Sequence, residues 1–187
     1  MFFFKQVKGT LVLTIVKSIK INHRKRHEYD VMLSDKAKEL LNQRILSASW
    51  YPCEEFRELF DALCYVEARN NPNTLLQWGF DEAKRWFTTI YQSTVFKGDL
   101  QIAFEKYSRF HRKVYNFGEV ILNSFSDTEL EITYKDTPHN WPNYYHSAVG
   151  WAMCFFQLCL DKKINYSYIN KSWKGEGWTT IRFSWTQ

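Results

Sequence analysis

Apolar residues recur every three or four positions through the first half of the chain, a spacing that predicts a series of amphipathic helices. The clearest helix follows Pro52, with an apolar stripe formed by Phe56, Leu59, Phe60, Leu63 and Cys64. The stretch from Leu11 to Ile19 predicts an earlier helix capped by Thr10, and a strand is the alternative because the stretch is rich in β-branched residues. Ser34 and Asp99 stand where they would cap two further helices.

From Phe117 onward the period of the pattern changes to two, which predicts strands. Leu130, Ile132 and Tyr134 alternate with polar residues in the clearest of them. A long apolar helix is expected from about Asn143 to Leu160, between two pairs of strands. The order β-β-α-β-β after a series of helices predicts an α+β fold, in which N-terminal helices pack with an antiparallel sheet.

The chain has 187 residues and shows neither an internal repeat nor a linker rich in proline or glycine. We therefore predict a single α+β domain over residues 1–187, with a helical part over about 1–116 and a strand-rich part over about 117–187. No apolar run approaches the length of about 20 residues that spans a bilayer. The first five residues lack the basic region and cleavage site of a signal peptide, which favours a cytoplasmic protein.

The net charge of +5 is concentrated near the start of the chain, because residues 1–27 carry seven positive side chains and no acidic one. Lys17, Lys20, Arg24, Lys25 and Arg26 form a predicted basic patch that could contact an anionic surface or a nucleic acid. The alternative is a solvated helix end, where cations complement the helix dipole. Nucleic acid is the less favoured partner, since the predicted strands are not strongly basic.

Motifs typical of catalysis are missing from the sequence. There is no glycine-rich phosphate loop, no HExxH and no nucleophile elbow, so we predict no enzymatic activity and no catalytic residue. The cysteines make no CxxC pair, so we expect no metal site and interpret all four as reduced thiols of the core, at Cys53, Cys64, Cys154 and Cys159. Disulfides are the alternative, although a chain of this size does not need them.

Aromatic residues make up 18% of the chain and are the strongest remaining signal. Several of them, Tyr144 included, fall on the predicted helices, where they would line an apolar pocket between helices and sheet or simply fill the core. The predicted ligand-binding residues are Trp78, Phe87, Tyr134, Tyr145, Trp151 and Phe155. The sequence thus favours a sensor or scaffold that binds a small apolar ligand. The alternative is a protein-protein interaction module, a homodimer or complex subunit without a ligand.

Four segments together resemble an uncharacterised bacterial family that is known chiefly from myxobacterial paralogues and described as restricted to the Myxococcales. These segments are Val7-Lys8-Gly9-Thr10, Ser47-Ala48-Ser49-Trp50-Tyr51-Pro52, Gly150-Trp151 and Arg182-Phe183-Ser184-Trp185. That family is similar to the superfamily of haem-nitric-oxide-binding domains, vinyl-reductase-type domains and small TRAPP subunits. The resemblance implies helices packed against an antiparallel sheet, an apolar or haem ligand held between them, and a role in bacterial signalling.

The haem-nitric-oxide-binding domains carry a proximal histidine and a YxSxR motif that binds the haem propionates. In the matching segment Tyr134 is kept, but Asp136 stands for the serine and Pro138 for the arginine, and His111 is the one candidate for the proximal histidine. An acidic residue repels propionates, and the loss of arginine removes a bidentate anion partner. We therefore expect no haem and no other cofactor. The cysteine cluster of the vinyl-reductase-type domains is also missing, since no cysteine follows Cys159.

Overall fold

A computed structural model describes residues 4–186. Gln187 and residues 1–3, which belong to the segment considered above for a signal peptide, lie outside the described residues. The elements in chain order are β1 (Gln6–Lys8), α1 (Gly9–Ile21), α2 (Arg26–Met32), α3 (Asp35–Asn42), β2 (Trp50–Pro52), α4 (Cys53–Ala68), α5 (Pro72–Phe87), α6 (Leu100–Val114), β3 (Glu119–Phe125), β4 (Glu129–Lys135), α7 (Pro142–Leu160), β5 (Asn165–Asn170) and β6 (Thr179–Ser184).

The chain divides into two compact units. The first unit runs to Asn71 and includes Lys113–Phe117, and the second holds Pro72–Arg112 and the residues from Gly118 on. Helix α5 and most of α6 thus belong to the same unit as the four-stranded sheet. The single-domain boundaries given above stay a prediction.

The first unit contains helices α1 to α4 and a two-stranded antiparallel sheet. Strand β1 pairs with β2 through Val7 and Tyr51, and Val7 also bridges Tyr115. Helix α1 confirms the helical prediction for this stretch, but Thr10 does not cap it, because the helix begins at Gly9 and Thr10 Oγ1 is buried with no hydrogen-bond partner among residues 4–186. Ser34 caps α3 as predicted, since its hydroxyl accepts a hydrogen bond from the amide of Ala37 at 3.2 Å.

The second unit packs α5, α6 and α7 with an antiparallel sheet of strand order β3-β4-β6-β5. The predicted order β-β-α-β-β and the α+β class are confirmed. Leu130, Ile132 and Tyr134 are buried while the residues between them face outward, as the alternating pattern predicted. Asp99 begins α6 as predicted, because its carboxylate accepts a hydrogen bond from the amide of Ile102 at 2.9 Å.

Helices α5 and α7 approach each other closely at two glycines. A Cβ atom on Gly79 would clash with the carbonyl oxygen of Ser147, and one on Gly150 would clash with that of Leu76. Glycine is required at these positions because no side chain fits between the two backbones. The close approach fixes the depth at which the aromatic residues of α7 enter the core of this unit.

The outer face of the four-stranded sheet carries a polar network. The Asn123 amide donates to Thr133 Oγ1 at 2.8 Å, and the Thr133 and Thr180 hydroxyls lie 2.8 Å apart. Arg182 donates to Glu131 at 3.2 Å. The core of this unit therefore lies on the other face of the sheet, where α6 and α7 contribute their aromatic residues.

Candidate functional site

Five of the six predicted ligand-binding residues lie together inside the second unit. The ring of Phe87 contacts those of Trp151 and Phe155, with centroids 5.8 and 5.0 Å apart. The rings of Tyr134 and Tyr145 contact each other at 6.2 Å. Trp78 lies apart: it is half-buried on α5, and nine residues at 3.6 per turn place it about 180° around the helix from Phe87.

An apolar aromatic cluster occupies the part of this interior nearest to α5. It consists of Trp86, Phe87, Phe110, Trp151 and Phe155. Most of the rings meet edge to face, an arrangement that aromatic quadrupoles favour. Trp151 is half-buried whereas Phe155 is fully buried, so the cluster extends from the surface into the core.

A polar centre lies deeper in the same interior. The hydroxyls of Tyr107 on α6 and Tyr134 on β4 are 2.9 Å apart and share a hydrogen bond. The Tyr107 ring also contacts Phe155 at 5.3 Å, which joins the polar centre to the aromatic cluster. Burial raises the pKa of both phenols well above the usual value, so both stay protonated and can donate as well as accept.

His111 lies one helical turn after Tyr107, and its side chain is buried. Its Nε2 atom is 3.1 Å from the hydroxyl of Tyr144 on α7. Burial, together with the positive charge of Arg112, lowers the pKa of His111 to about 4, so the imidazole is neutral at physiological pH. A neutral imidazole offers one donor and one acceptor to a partner at this position.

Tyr145 completes the polar centre from the next position on α7. Its hydroxyl lies 2.7 Å from Thr137 Oγ1 and donates to the carbonyl of Pro138 at 3.0 Å. Its ring stacks on Trp173 at 5.2 Å. The polar centre is therefore assembled from Tyr107, His111, Tyr134, Thr137, Tyr144 and Tyr145.

Only two of these six residues were among the predicted ligand-binding residues. His111 was weighed as a haem ligand and Tyr144 was among the aromatic residues considered for the pocket, whereas Tyr107 and Thr137 were missed. The spacing of Tyr107 and His111, one turn apart on the apolar face of α6, is the signal that could have found two of them. Their partner Tyr144 comes from another helix, and no local pattern indicates that contact.

The predicted basic patch lies in the first unit, and two of its five cations make ion pairs. Lys25 pairs with Glu67 at 2.9 Å, and Arg26 pairs with Asp30 at 3.5 Å. Lys17, Lys20 and Arg24 are exposed, and within residues 4–186 none of them makes an ion pair.

All four cysteines are free and buried, which agrees with their interpretation as core thiols. Burial raises the pKa of Cys53 and Cys154 to about 12. Among the described residues there is no group of three or more histidine, cysteine or acidic side chains that could hold a metal ion. No helix between residues 4 and 186 is both long and apolar enough to cross a membrane.

Comparison with known proteins shows what the fold resembles. No protein-family model matches the sequence, and no curated protein matches it significantly. Solved structures of H-NOX proteins do match over almost the whole chain. A point mutant of the H-NOX protein from T. tengcongensis aligns with a TM-score of 0.61 and 14% identity, covering 96% of this chain and 98% of that one.

Two further solved structures give the same result. A point mutant of the H-NOX protein from K. algicida, in the unliganded Fe(II) form, aligns with a TM-score of 0.68 and 13% identity over 96% of this chain and 97% of that one. An oxygen-binding H-NOX domain related to soluble guanylate cyclases aligns with a TM-score of 0.62 and 13% identity, over 96% and 95%. The predicted haem-nitric-oxide-binding-like fold is confirmed, and the narrower resemblance to a myxobacterial family stays a prediction.

The residues in and beside the polar centre do not fit haem. Asp136 is exposed with a left-handed backbone (φ 56°), and Pro138 offers neither a charge nor a hydrogen-bond donor to a propionate. The Nε2 atom of His111 is engaged by the Tyr144 hydroxyl, and the rings of Tyr134 and Tyr144 lie against each other at 6.2 Å beside it. An iron atom could reach the Nε2 atom of His111 only after the Tyr144 hydroxyl had moved away.

Proposed function

We propose that this protein is a non-enzymatic sensor domain that binds a small apolar ligand without haem. The ligand would enter the aromatic cluster and present one polar group to the polar centre. The observation that carries the proposal is the buried hydrogen bond between His111 and Tyr144, which belongs to the polar centre that Tyr107 joins to the aromatic cluster. Convergent polar groups behind an apolar wall are typical of small-molecule sites.

The position of the polar groups supports recognition as well as stability. An ordinary core is filled by aliphatic and aromatic side chains, because each buried polar group must find a partner. Here three elements each bring polar side chains to one point: α6 carries Tyr107 and His111, β4 carries Tyr134, and α7 carries Tyr144. A ligand with one hydroxyl, carbonyl or amide group could replace the Tyr144 hydroxyl at His111, so that the buried imidazole would keep a hydrogen-bond partner while the Tyr144 hydroxyl would turn away from it.

The aromatic cluster supports an apolar, ring-containing ligand. Trp151 is half-exposed at one end of the cluster, and its ring lies 5.2 Å from Trp86 and 5.8 Å from Phe87. A ligand that displaced part of this cluster would exchange ring contacts for ring contacts, at little cost in buried apolar area. The Tyr144 side chain on α7 would then take different positions in the empty and the occupied site.

Native mass spectrometry of the protein purified from its own host tests the proposal, together with an absorbance scan of the same sample from about 350 to 450 nm, where protein-bound haem absorbs. We expect a small extra mass and no Soret band. The variant Tyr144→Phe should increase the fraction of protein that retains the extra mass, because the ligand no longer competes with the hydroxyl for His111. Tyr65→Phe is the control, since Tyr65 is exposed in the first unit.

Each contrary outcome has a distinct meaning. A Soret band would overturn the haem-free proposal despite Asp136 and Pro138. A bare mass in the native protein would overturn ligand binding and favour an interaction module instead. Equal retention of the extra mass in Tyr144→Phe and in the control would show that the ligand does not bind at His111.

A further inference from the structure

Helix α1 carries an exposed face that combines cations with a large apolar residue. Lys17, Lys20 and Ile21 fall within about 100° of one another around the helix. The buried residues Val12, Ile15, Val16 and Ile19 lie on the opposite side. We call this exposed face, together with Arg24 in the turn that follows α1, the basic α1 face.

The cations of the basic α1 face are not neutralised by acidic side chains among residues 4–186. Lys17, Lys20 and Arg24 make no ion pair within residues 4–186. The nearby acidic residues are engaged elsewhere, because Asp30 pairs with Arg26 and Glu67 pairs with Lys25. The segment from Lys17 to His27 itself contains no acidic residue.

Ile21 is 74% exposed at the end of α1, where it packs little against its own unit. A partner that buried Ile21 while contacting these cations would gain from both features. That partner must offer both negative charge and an apolar interior. The surface of an anionic lipid bilayer offers both, since its headgroups attract lysine and arginine and its acyl chains accept an apolar side chain.

We propose that the basic α1 face docks the protein on an anionic membrane surface, with Lys17, Lys20 and Arg24 against the headgroups and Ile21 inserted between them. A nucleic acid satisfies the cations through its phosphates but gives no comparable partner to Ile21. This site is independent of the proposed ligand, because all its residues lie in the first unit and the polar centre lies in the second.

Co-sedimentation with vesicles tests the docking. The probes are vesicles of phosphatidylcholine alone and vesicles that also contain about 30% phosphatidylserine, at low and high salt. We expect binding only to the anionic vesicles, weakened by salt. The double variant Lys17→Glu, Lys20→Glu should reduce partitioning at least about 25-fold, because each cation near such a surface contributes about fivefold. The variant Ile21→Ser should reduce it about tenfold.

Matched controls separate this face from general charge and hydrophobicity. Ile90→Ser removes an isoleucine that is 77% exposed in the second unit, and Lys36→Glu with Lys163→Glu makes the same charge change at exposed positions elsewhere. Both should bind anionic vesicles like the unmodified protein. Thermal melts of every variant confirm that the exposed substitutions leave the fold intact.

Three results would overturn the proposal. The first is no binding to anionic vesicles, or equal binding to neutral ones. The second is binding that Ile21→Ser leaves unchanged. The third is tighter binding to an oligouridine strand that depends on Lys17 and Lys20 but not on Ile21, which would identify a nucleic-acid surface instead.

Discussion

Gly79 on α5 and Gly150 on α7 stand at two neighbouring points where each helix meets the backbone of the other. A methyl group at either position would clash with a carbonyl oxygen of the facing helix, at Ser147 or at Leu76. The pair thus allows α7 to approach α5 closely enough for Trp151 and Phe155 to contact Phe87.

Replacing Gly150 by alanine should destabilise the protein by at least about 2 kcal/mol, because overpacking exceeds the gain of about 1 kcal/mol that alanine brings to a helix interior. Urea denaturation at equilibrium measures the change. Lys84→Ala, at an exposed position of α5, is the control and should change stability by less than about 0.5 kcal/mol. A stable Gly150→Ala protein would mean that the helices can separate without cost.

His111 should make the protein less stable in mild acid. Its pKa is lowered to about 4 in the folded protein from a usual value of 6.5, so the unfolded chain binds more protons between these two values. Stability is then greatest above about pH 6.5 and falls toward pH 4, by about 3 kcal/mol in total at about 1.4 kcal/mol per pH unit. Burial also lowers the pKa of His146, which contributes in the same direction.

Urea denaturation at a series of pH values checks this dependence. His111→Gln should flatten the slope between about pH 6.5 and pH 4, because glutamine does not titrate. The exposed His27→Gln should keep the slope of the unmodified protein. An unchanged slope in His111→Gln would show that other groups cause the loss of stability.

The hydrogen bond between Tyr107 and Tyr134 should give a clear coupling energy. Either Tyr107→Phe or Tyr134→Phe leaves the other hydroxyl buried without this partner and should cost about 1 to 2 kcal/mol. The double variant leaves neither hydroxyl, so its cost should fall short of the sum by about 1 kcal/mol. Additive costs in urea denaturation would show that the two hydroxyls do not interact in solution.

The four cysteines should react slowly with a thiol reagent in the folded protein. All four are buried, and burial raises the pKa values of Cys53 and Cys154 to about 12, so little thiolate forms at neutral pH. Titration with a chromogenic disulfide should detect all four thiols only after denaturation. Rapid reaction of any thiol in the native protein would show that its element opens locally.

Local patterns predicted most of the fold because burial follows the period of each element. Leu130, Ile132 and Tyr134 alternate as a half-buried strand requires, and Ser34 and Asp99 begin their helices through side-chain hydrogen bonds that depend on near neighbours alone. Strands β1 and β2 were both missed. Each is three residues long, and their pairing spans more than forty positions that no local pattern records.

The candidate site was only partly predictable for the same reason. The apolar character of Phe87, Trp151 and Phe155 indicated that they lie in the interior. Trp78 is equally apolar, yet it lies on the opposite side of α5 from Phe87. Tyr107 and His111 share a face of α6, a pattern that is visible in the sequence. Their hydrogen bonds to Tyr134 and Tyr144 depend on how three elements pack.

The short strand β1 has a consequence for the order in which the protein is completed during synthesis. Val7 leaves the ribosome before its partners Tyr51 and Tyr115, which follow only after roughly forty and one hundred further residues. Until Tyr51 has emerged, β1 has no strand with which to form hydrogen bonds. A ribosome that stalls between Tyr51 and Tyr115 would carry a nascent chain in which β1 can pair with β2 but still lacks its bridge to Tyr115.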